Sequence, residues 1–214
     1  MSMFELALAA FANFFITIDP IGVVPFFIAL TAGFSRAQRR AAALKSVAIA
    51  AAILLVFTLI GQPLLHYLGI ALTAFRIAGG ALLFLLAVDM VVAREGGIRA
   101  PTPKEEEDAA HRQPDVAVFP LAIPLIAGPG AITSTILLQA QSAGDPAAQI
   151  LTAAIMLGVL ALVAVCFFAA DSIMALLGLT GVNVLSRVLG IVLAALAVNN
   201  IIEGLRASFS SLSS

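Results

Sequence analysis

Apolar runs long enough to cross a bilayer follow one another along the whole chain, and they decide the solvent in which it folds. Stretches near 4–32, 46–68, 71–93, 117–140, 149–178 and 184–206 are each predominantly apolar. A helix needs about 20 such residues to cross a hydrocarbon core roughly 30 Å thick. Charged residues make up 11% of the sequence and hydrophobic ones 62%, whereas a soluble domain has about a quarter of its residues charged. Membrane β-strands would alternate apolar and polar residues, and runs such as Ile49 to Ile60 do not. The sequence therefore predicts an all-α membrane protein of six transmembrane helices, with the lipid bilayer as its first partner.

The net charge of −1 argues against nucleic acid as a partner, which a protein binds through an extended basic surface. Cys166 is the single cysteine, so neither an internal disulfide nor a CxxC site is available. It reads as a small apolar core residue.

The basic residues set the orientation. Arg36, Arg39, Arg40 and Lys45 lie between the first two spans, and Arg94, Arg99, Lys104 and Arg112 between the third and fourth. Both connections are expected on the cytoplasmic side by the positive-inside rule, with both termini outside, as in a bacterial inner membrane. Ser35-Arg36-Ala37-Gln38 is a capping box that starts the second span. The 94–116 connection, with Gly96-Gly97, Pro101, Pro103, Pro114 and an acidic run at Glu105 to Asp108, reads as a polar linker between two halves, 1–93 and 117–214.

The halves resemble each other. A shift of 109 residues carries Asp19-Pro20 onto Gly128-Pro129, Gln62 onto Asp171 and Leu68-Gly69-Ile70 onto Leu177-Gly178-Leu179. Two residues further on, Arg76-Ile77-Ala78-Gly79 falls on Arg187-Val188-Leu189-Gly190, and Asp89 on Asn200. Three spans is an odd number, so a duplicated half enters the bilayer with opposite orientation. The expectation is two inverted three-helix repeats, an arrangement by which one central site can be opened to either side.

Chemistry is expected where the spans break. Asn13, Thr17, Asp19, Pro20, Gly22 and Pro25 fall in span one; each proline removes a backbone donor and clashes with the preceding turn. Two readings compete: a proline kink with Asp19 satisfied locally, or a broken helix whose freed backbone groups line a solute site. Span four repeats the device at Pro120, Pro124 and Gly128-Pro129-Gly130, followed by Thr133, Ser134 and Thr135. A half-helix starting near Pro129 would aim its positive end at an anionic group such as a carboxylate. Ser and Thr in membrane helices more often serve packing or bond back to their own helix, and Thr133, Ser134 and Thr135 read first as structural, with ligand contact as the alternative. Asn199 and Asn200 form a further polar pair.

Charges in lipid are costly and mark paths, partners or relays. Asp19, Asp89 and Asp171 qualify, with Arg76 and Arg187 as counter-charges. Arg76, Asp89, Arg187 and Glu203 lie near span ends, where side chains also reach the interface. No metal-ligand spacing, nucleophile with its base, or GxxxxGK loop occurs. The sequence thus calls for no cofactor and no enzyme activity, and ATP would have to be handled by a partner.

Asp19-Pro20-Ile21-Gly22 with Pro25, Phe75-Arg76-Ile77-Ala78-Gly79-Gly80, Phe119-Pro120-Leu121-Ala122-Ile123-Pro124, Ala127-Gly128-Pro129-Gly130 and Ser186-Arg187-Val188-Leu189-Gly190 together resemble the MarC family over nearly the whole chain. The resemblance implies a six-helix inner-membrane protein of the wider LysE-like transporter group. It also implies small neutral amino acids such as glycine and alanine as solutes. The family has Asn as often as Asp before the first proline, and a carboxylate at Asp19 opens proton or sodium coupling that an amide does not. Two functions of different class follow: a secondary amino-acid transporter, or a non-transporting membrane scaffold or stress-linked subunit. A homo-oligomer is compatible with either.

Overall fold

The computed structural model describes residues 2–31, 33–92 and 115–210. Residues 93–114, which hold most of the expected linker and its basic residues, lie outside the described residues. Helix α1 (Met3–Ile18) starts from a capping box between Ser2 and Glu5 and ends at Asp19. After a turn the short α2 (Val24–Leu30) follows, with Pro25 in its first turn. Helix α3 (Arg36–Tyr67) begins at the capping box read from the sequence: Gln38 N donates to Ser35 Oγ at 3.3 Å and Ser35 N to Gln38 Oε1 at 2.8 Å. Helix α4 (Leu72–Val92) completes the first half.

The second half opens with an irregular helical segment, α5 (Ala117–Ile126), tied to α3 by an ion pair between Asp115 and Lys45. Helix α6 (Pro129–Gln141) follows Gly128. Helix α7 (Pro146–Phe168) is capped by Asp145, whose carboxylate accepts from the amides of Ala147 and Ala148. Helix α8 (Ala170–Ser210) carries a break at Gly178.

All regular structure among the described residues is helical. Helices α3, α4, α7 and α8 are each long and apolar enough to cross a membrane, and α5 with α6, bent by 55°, counts as a fifth span if the pair is one broken span rather than a re-entrant loop. The expected first span is divided between α1, with 16 residues, and α2, with 7. The fifth span also differs from expectation: it ends at Phe168 rather than near 178, so that Asp171 begins a new helix. Many large apolar side chains, among them Phe4, Leu59, Ile150, Leu176 and Ile191, lie on the outside; in water they would be a liability, and in a bilayer they are the lipid-facing surface.

Two features of the backbone bear on the halves. Gly69 and Gly178, which coincide under the 109-residue shift, both adopt left-handed conformations, at φ 69° and φ 64°, a region open to glycine at little cost. Helices α4 and α8 run antiparallel, and glycines on each permit close approach. A Cβ on Gly80 would meet Ala197 O and Ile201, one on Gly190 would meet Ala87 O and Met90, and one on Gly204 would meet Thr73 O and Ile77. Small residues at such crossings let membrane helices pack by van der Waals contact, where lipid offers no hydrophobic drive.

Candidate functional site

The first break is a compact buried turn. Asp19 takes a left-handed conformation at φ 53° and its N–H closes α1 by donating to Phe15 O at 2.9 Å. Pro20 supplies no donor, so the turn is held instead by the Asp19 carboxylate. Oδ1 accepts from Gly22 N at 3.0 Å and Oδ2 accepts from Ser186 Oγ, on α8, at 3.3 Å. Asp19 is 2% exposed, so these bonds replace water around a group that is costly to bury. Gly22 has to be glycine here, because a Cβ would stand 2.0 Å from Asp19 Oδ2.

The second break is prepared over a longer stretch. Phe119 and Ile123 adopt extended backbone angles within α5, as expected of residues that precede proline. The remaining amides reach back five residues, Leu121 N to Val116 O at 3.3 Å and Ala127 N to Ala122 O at 2.8 Å. The sequence reading placed the device at Pro120, Pro124 and Gly128-Pro129-Gly130, and the irregularity runs through the whole of α5, where the two prolines stand four residues apart. Pro129 then sits in the first turn of α6, where its missing N–H costs nothing.

The two breaks meet. Thr17, at the end of α1, shares a small cavity of about 10 Å³ with Pro124, Gly128, Pro129, Gly130 and Ala131, flanked by Leu82 and Leu86 of α4. That is room for roughly one water molecule. One helical turn away on both α1 and α6, a larger cavity of about 370 Å³ is lined by Asn13, Ser134, Gln141, Asn199, Asn200 and Glu203. The lining follows helical spacing: Asn13 precedes Thr17 by four, Ser134 follows Gly130 by four, and Glu203 follows Asn199 by four.

The vestibule is walled mainly by apolar side chains, Leu137, Leu138 and Leu196 among them, and its polar groups are incompletely satisfied. Asn13 Oδ1 and Ser134 Oγ are buried with no hydrogen-bond partner, which is unusual enough in a folded protein to ask for an occupant. Glu203 joins the two sides of the α4–α8 pair: Oε2 accepts from an Arg76 guanidinium nitrogen at 3.0 Å and Oε1 from Asn199 Nδ2 at 3.0 Å. The Arg76 side chain is 19% exposed and its Nε has no partner.

Of the residues singled out in the sequence, Thr17, Gly128, Pro129 and Gly130 come together at the small cavity, and Asn13, Asn199 and Asn200 at the vestibule. Asp19, Pro20 and Gly22 form the first turn itself. Thr133 is buried but lines neither cavity; its methyl group packs where a Cβ on Gly79 would be. The charges pair differently from the sequence reading: Arg76 meets Glu203, and Asp171 meets Arg39 at 3.1 Å near the other end of the bundle. Asp89 is half-buried and Arg187 exposed, and neither lines these two cavities. Sequence reasoning passed over Glu203, Gln141 and Ser186 as site residues and gave Ser134 no weight of its own. The spacing of Ser134 from Gly130, and of Glu203 from Asn199, is the signal that points to two of them. Among the described residues no group of three or more His, Cys, Asp or Glu is placed to hold a metal.

Comparison with known proteins places the chain among integral membrane proteins. Residues 4–209 match the family described as MarC family integral membrane protein. The UPF0056 membrane protein MJ1677 of Methanocaldococcus jannaschii is 39% identical over 199 residues, covering 92% of this chain and 94% of its own. The UPF0056 membrane protein YvbG of Bacillus subtilis is 34% identical over 99% of this chain and 100% of its own. The UPF0056 membrane protein YhcE of Escherichia coli is 32% identical over 94% of this chain and 93% of its own. No solved structure matches the chain. With a family match over nearly its full length and relatives of equal length in bacteria and archaea, the chain belongs to the MarC family of integral membrane proteins.

Proposed function

We propose that the chain is a secondary transporter of small neutral amino acids of the glycine and alanine class. The observation that carries this reading is the meeting of two helix breaks at one small cavity, with a vestibule one turn away into which Asn13 Oδ1 and Ser134 Oγ, buried and unpartnered, bring polar atoms. A small zwitterion supplies what those groups lack. Its ammonium donates to Asn13 Oδ1 and Glu203, and its carboxylate accepts from Ser134 Oγ. The vestibule volume of about 370 Å³ lies at the small end of ligand sites. Irregular backbone at membrane depth is tolerated where it is buried in protein or lines such a cavity.

The coupling role falls to Asp19, the buried carboxylate of the first break, with a proton or sodium ion as the coupling species. The two left-handed glycines, the paired breaks and the antiparallel α4 and α8 support an inverted duplication of three-helix halves. In that arrangement α1–α2 and α5–α6 are the equivalent broken spans of a six-span bundle.

Uptake of labelled alanine into proteoliposomes, under an imposed proton or sodium gradient, tests the function. Accumulation above protein-free vesicles is expected. Ser134→Ala should bind alanine roughly 10-fold or more weakly, since it removes a hydrogen bond to a charged group. No uptake, together with no thermal stabilisation by any small neutral amino acid, would leave the scaffold reading in its place.

Orientation is tested separately. We place both termini outside and the 94–116 connection in the cytoplasm of a cell whose inner membrane holds the chain. In a Cys166→Ser background, Asp145→Cys should react with an impermeant thiol reagent added to intact cells, and Lys104→Cys should not. The reverse pattern sinks the topology.

A further inference from the structure

At the other end of the bundle from the vestibule, α2, the start of α3 and the junction of α7 with α8 enclose a cavity of about 540 Å³. Its polar wall holds three guanidiniums, Arg36, Arg39 and Arg40, against one carboxylate, Asp171. Arg39 is fixed in place. Its two terminal nitrogens donate to Asp171 at 3.1 to 3.3 Å, and its guanidinium carbon stands 5.6 Å from the centre of the Phe27 ring, which stacks on Phe167 at 4.2 Å. Arg36 and Arg40 lie four apart on one face of α3 and have no ion-pair partner among the described residues. Three cations and one anion leave the cavity with a formal charge of +2.

The remaining wall is apolar and open. Leu44 and Phe168 line the cavity while being 56% and 52% exposed, and in a membrane-spanning bundle such exposure faces acyl chains. A cationic wall beside a lipid-facing apolar wall matches an amphiphile. A soluble anion would satisfy the arginines but leave Leu44 and Phe168 unused. A zwitterionic headgroup brings its own cation to the same phosphate. Guanidinium pairs recognise phosphate by two parallel hydrogen bonds, and basic pockets between membrane helices are suited to acidic headgroups.

We propose that this cavity binds the phosphate of an anionic phospholipid, held by Arg36 and Arg40, with an acyl chain laid along Leu44 and Phe168. Arg39, neutralised by Asp171, shapes the floor of the site. The site is independent of the solute reading, since it shares no residue with the vestibule or the small cavity.

The test uses the purified full chain in mixed micelles containing phosphatidylglycerol or phosphatidylcholine, with bound lipid counted by native mass spectrometry and thermal unfolding followed in parallel. Wild type should retain phosphatidylglycerol in preference to phosphatidylcholine. Arg36→Gln with Arg40→Gln should weaken that retention roughly 10- to 30-fold, whereas Arg187→Gln should leave it unchanged. Asp171→Asn removes the competing carboxylate and should tighten retention, which keeps the proposal testable if the double variant fails to fold. Equal retention of the two lipids, equal loss in Arg187→Gln, or weaker retention in Asp171→Asn would overturn it. Stabilisation by inorganic phosphate alone, equal to that by phosphatidylglycerol, would assign the pocket to a soluble anion and overturn the lipid assignment.

Discussion

Gly22→Ala is expected to abolish gradient-driven uptake and to lower the thermal stability of the purified protein, although it adds a single methyl group. That methyl would lie 2.0 Å from Asp19 Oδ2, 2.5 Å from Asp19 Cγ and 2.7 Å from Ser186 Oγ. All three are side-chain atoms, so the clash is relieved by rotating the carboxylate away, and rotation is the damage. It gives up the bonds from Gly22 N and Ser186 Oγ and leaves a buried carboxylate short of donors, at a cost of about 2 to 3 kcal/mol. Asp19→Asn is the informative companion. Its amide oxygen still accepts from Gly22 N, so the turn survives and solute exchange should persist while gradient-driven accumulation is lost. If Gly22→Ala transports and melts like wild type, the Asp19 turn is not the element on which the first break depends. If Asp19→Asn accumulates solute fully, Asp19 carries no coupling ion.

How far this turn was legible in the sequence is instructive. Asp19-Pro20-Ile21-Gly22 with Pro25 announces a break, because two prolines withdraw two amides within six residues of an apolar span. Its closure by Ser186 does not appear in any local pattern, for the two residues are 167 apart and their contact depends on how α8 packs against α2. The same division runs through the second half. The prolines at 120 and 124 and the Gly128-Pro129-Gly130 step predict where backbone regularity fails. The rotation of α6 about its own axis is decided by tertiary contact: Thr133 turns its methyl toward Gly79, which sends Ser134 to the vestibule.

Charge pairing was the least legible layer. Asp171 looked like a membrane-embedded carboxylate because the apolar run from 149 continues past it. In the fold α7 stops at Phe168, and Asp171 opens α8 with its side chain 80% exposed, beside Arg39. Hydropathy locates the membrane but not the residue at which a helix turns back, since Ala169 and Ala170 are as apolar as the span they follow. Arg76 and Glu203, read as near-interface charges, form a pair that ties α4 to α8 beside the vestibule. Depth along a span can be read from spacing. Which neighbour a side chain meets requires the packing.

Substitution at Gly130 should give the second large effect, and its size series separates filling the site from breaking the fold. A Cβ at Gly130 would lie 2.9 Å from Leu86 Cδ2 and 3.1 Å from Leu83 Cδ2. These are the ends of flexible side chains on α4, which can give way by a few tenths of an ångström. The helical preference of alanine over glycine, about 1 kcal/mol, offsets part of that strain. Gly130→Ala should therefore fold and insert normally, with reduced solute affinity because the methyl crowds the second break one helical turn from Ser134, which lines the vestibule. Gly130→Leu adds three further carbons to the same space and has to push α4 away from the break. It should lose solute binding entirely and destabilise the protein by about 1 to 3 kcal/mol, the ordinary cost of overpacking. Ligand-induced thermal shift and alanine exchange, measured on both variants, distinguish the outcomes. Graded loss across the pair ties solute binding in the vestibule to the packing of the second break. Wild-type binding by Gly130→Leu would move the solute away from α6, leaving the vestibule residues Asn199, Asn200 and Glu203 to be tested without it.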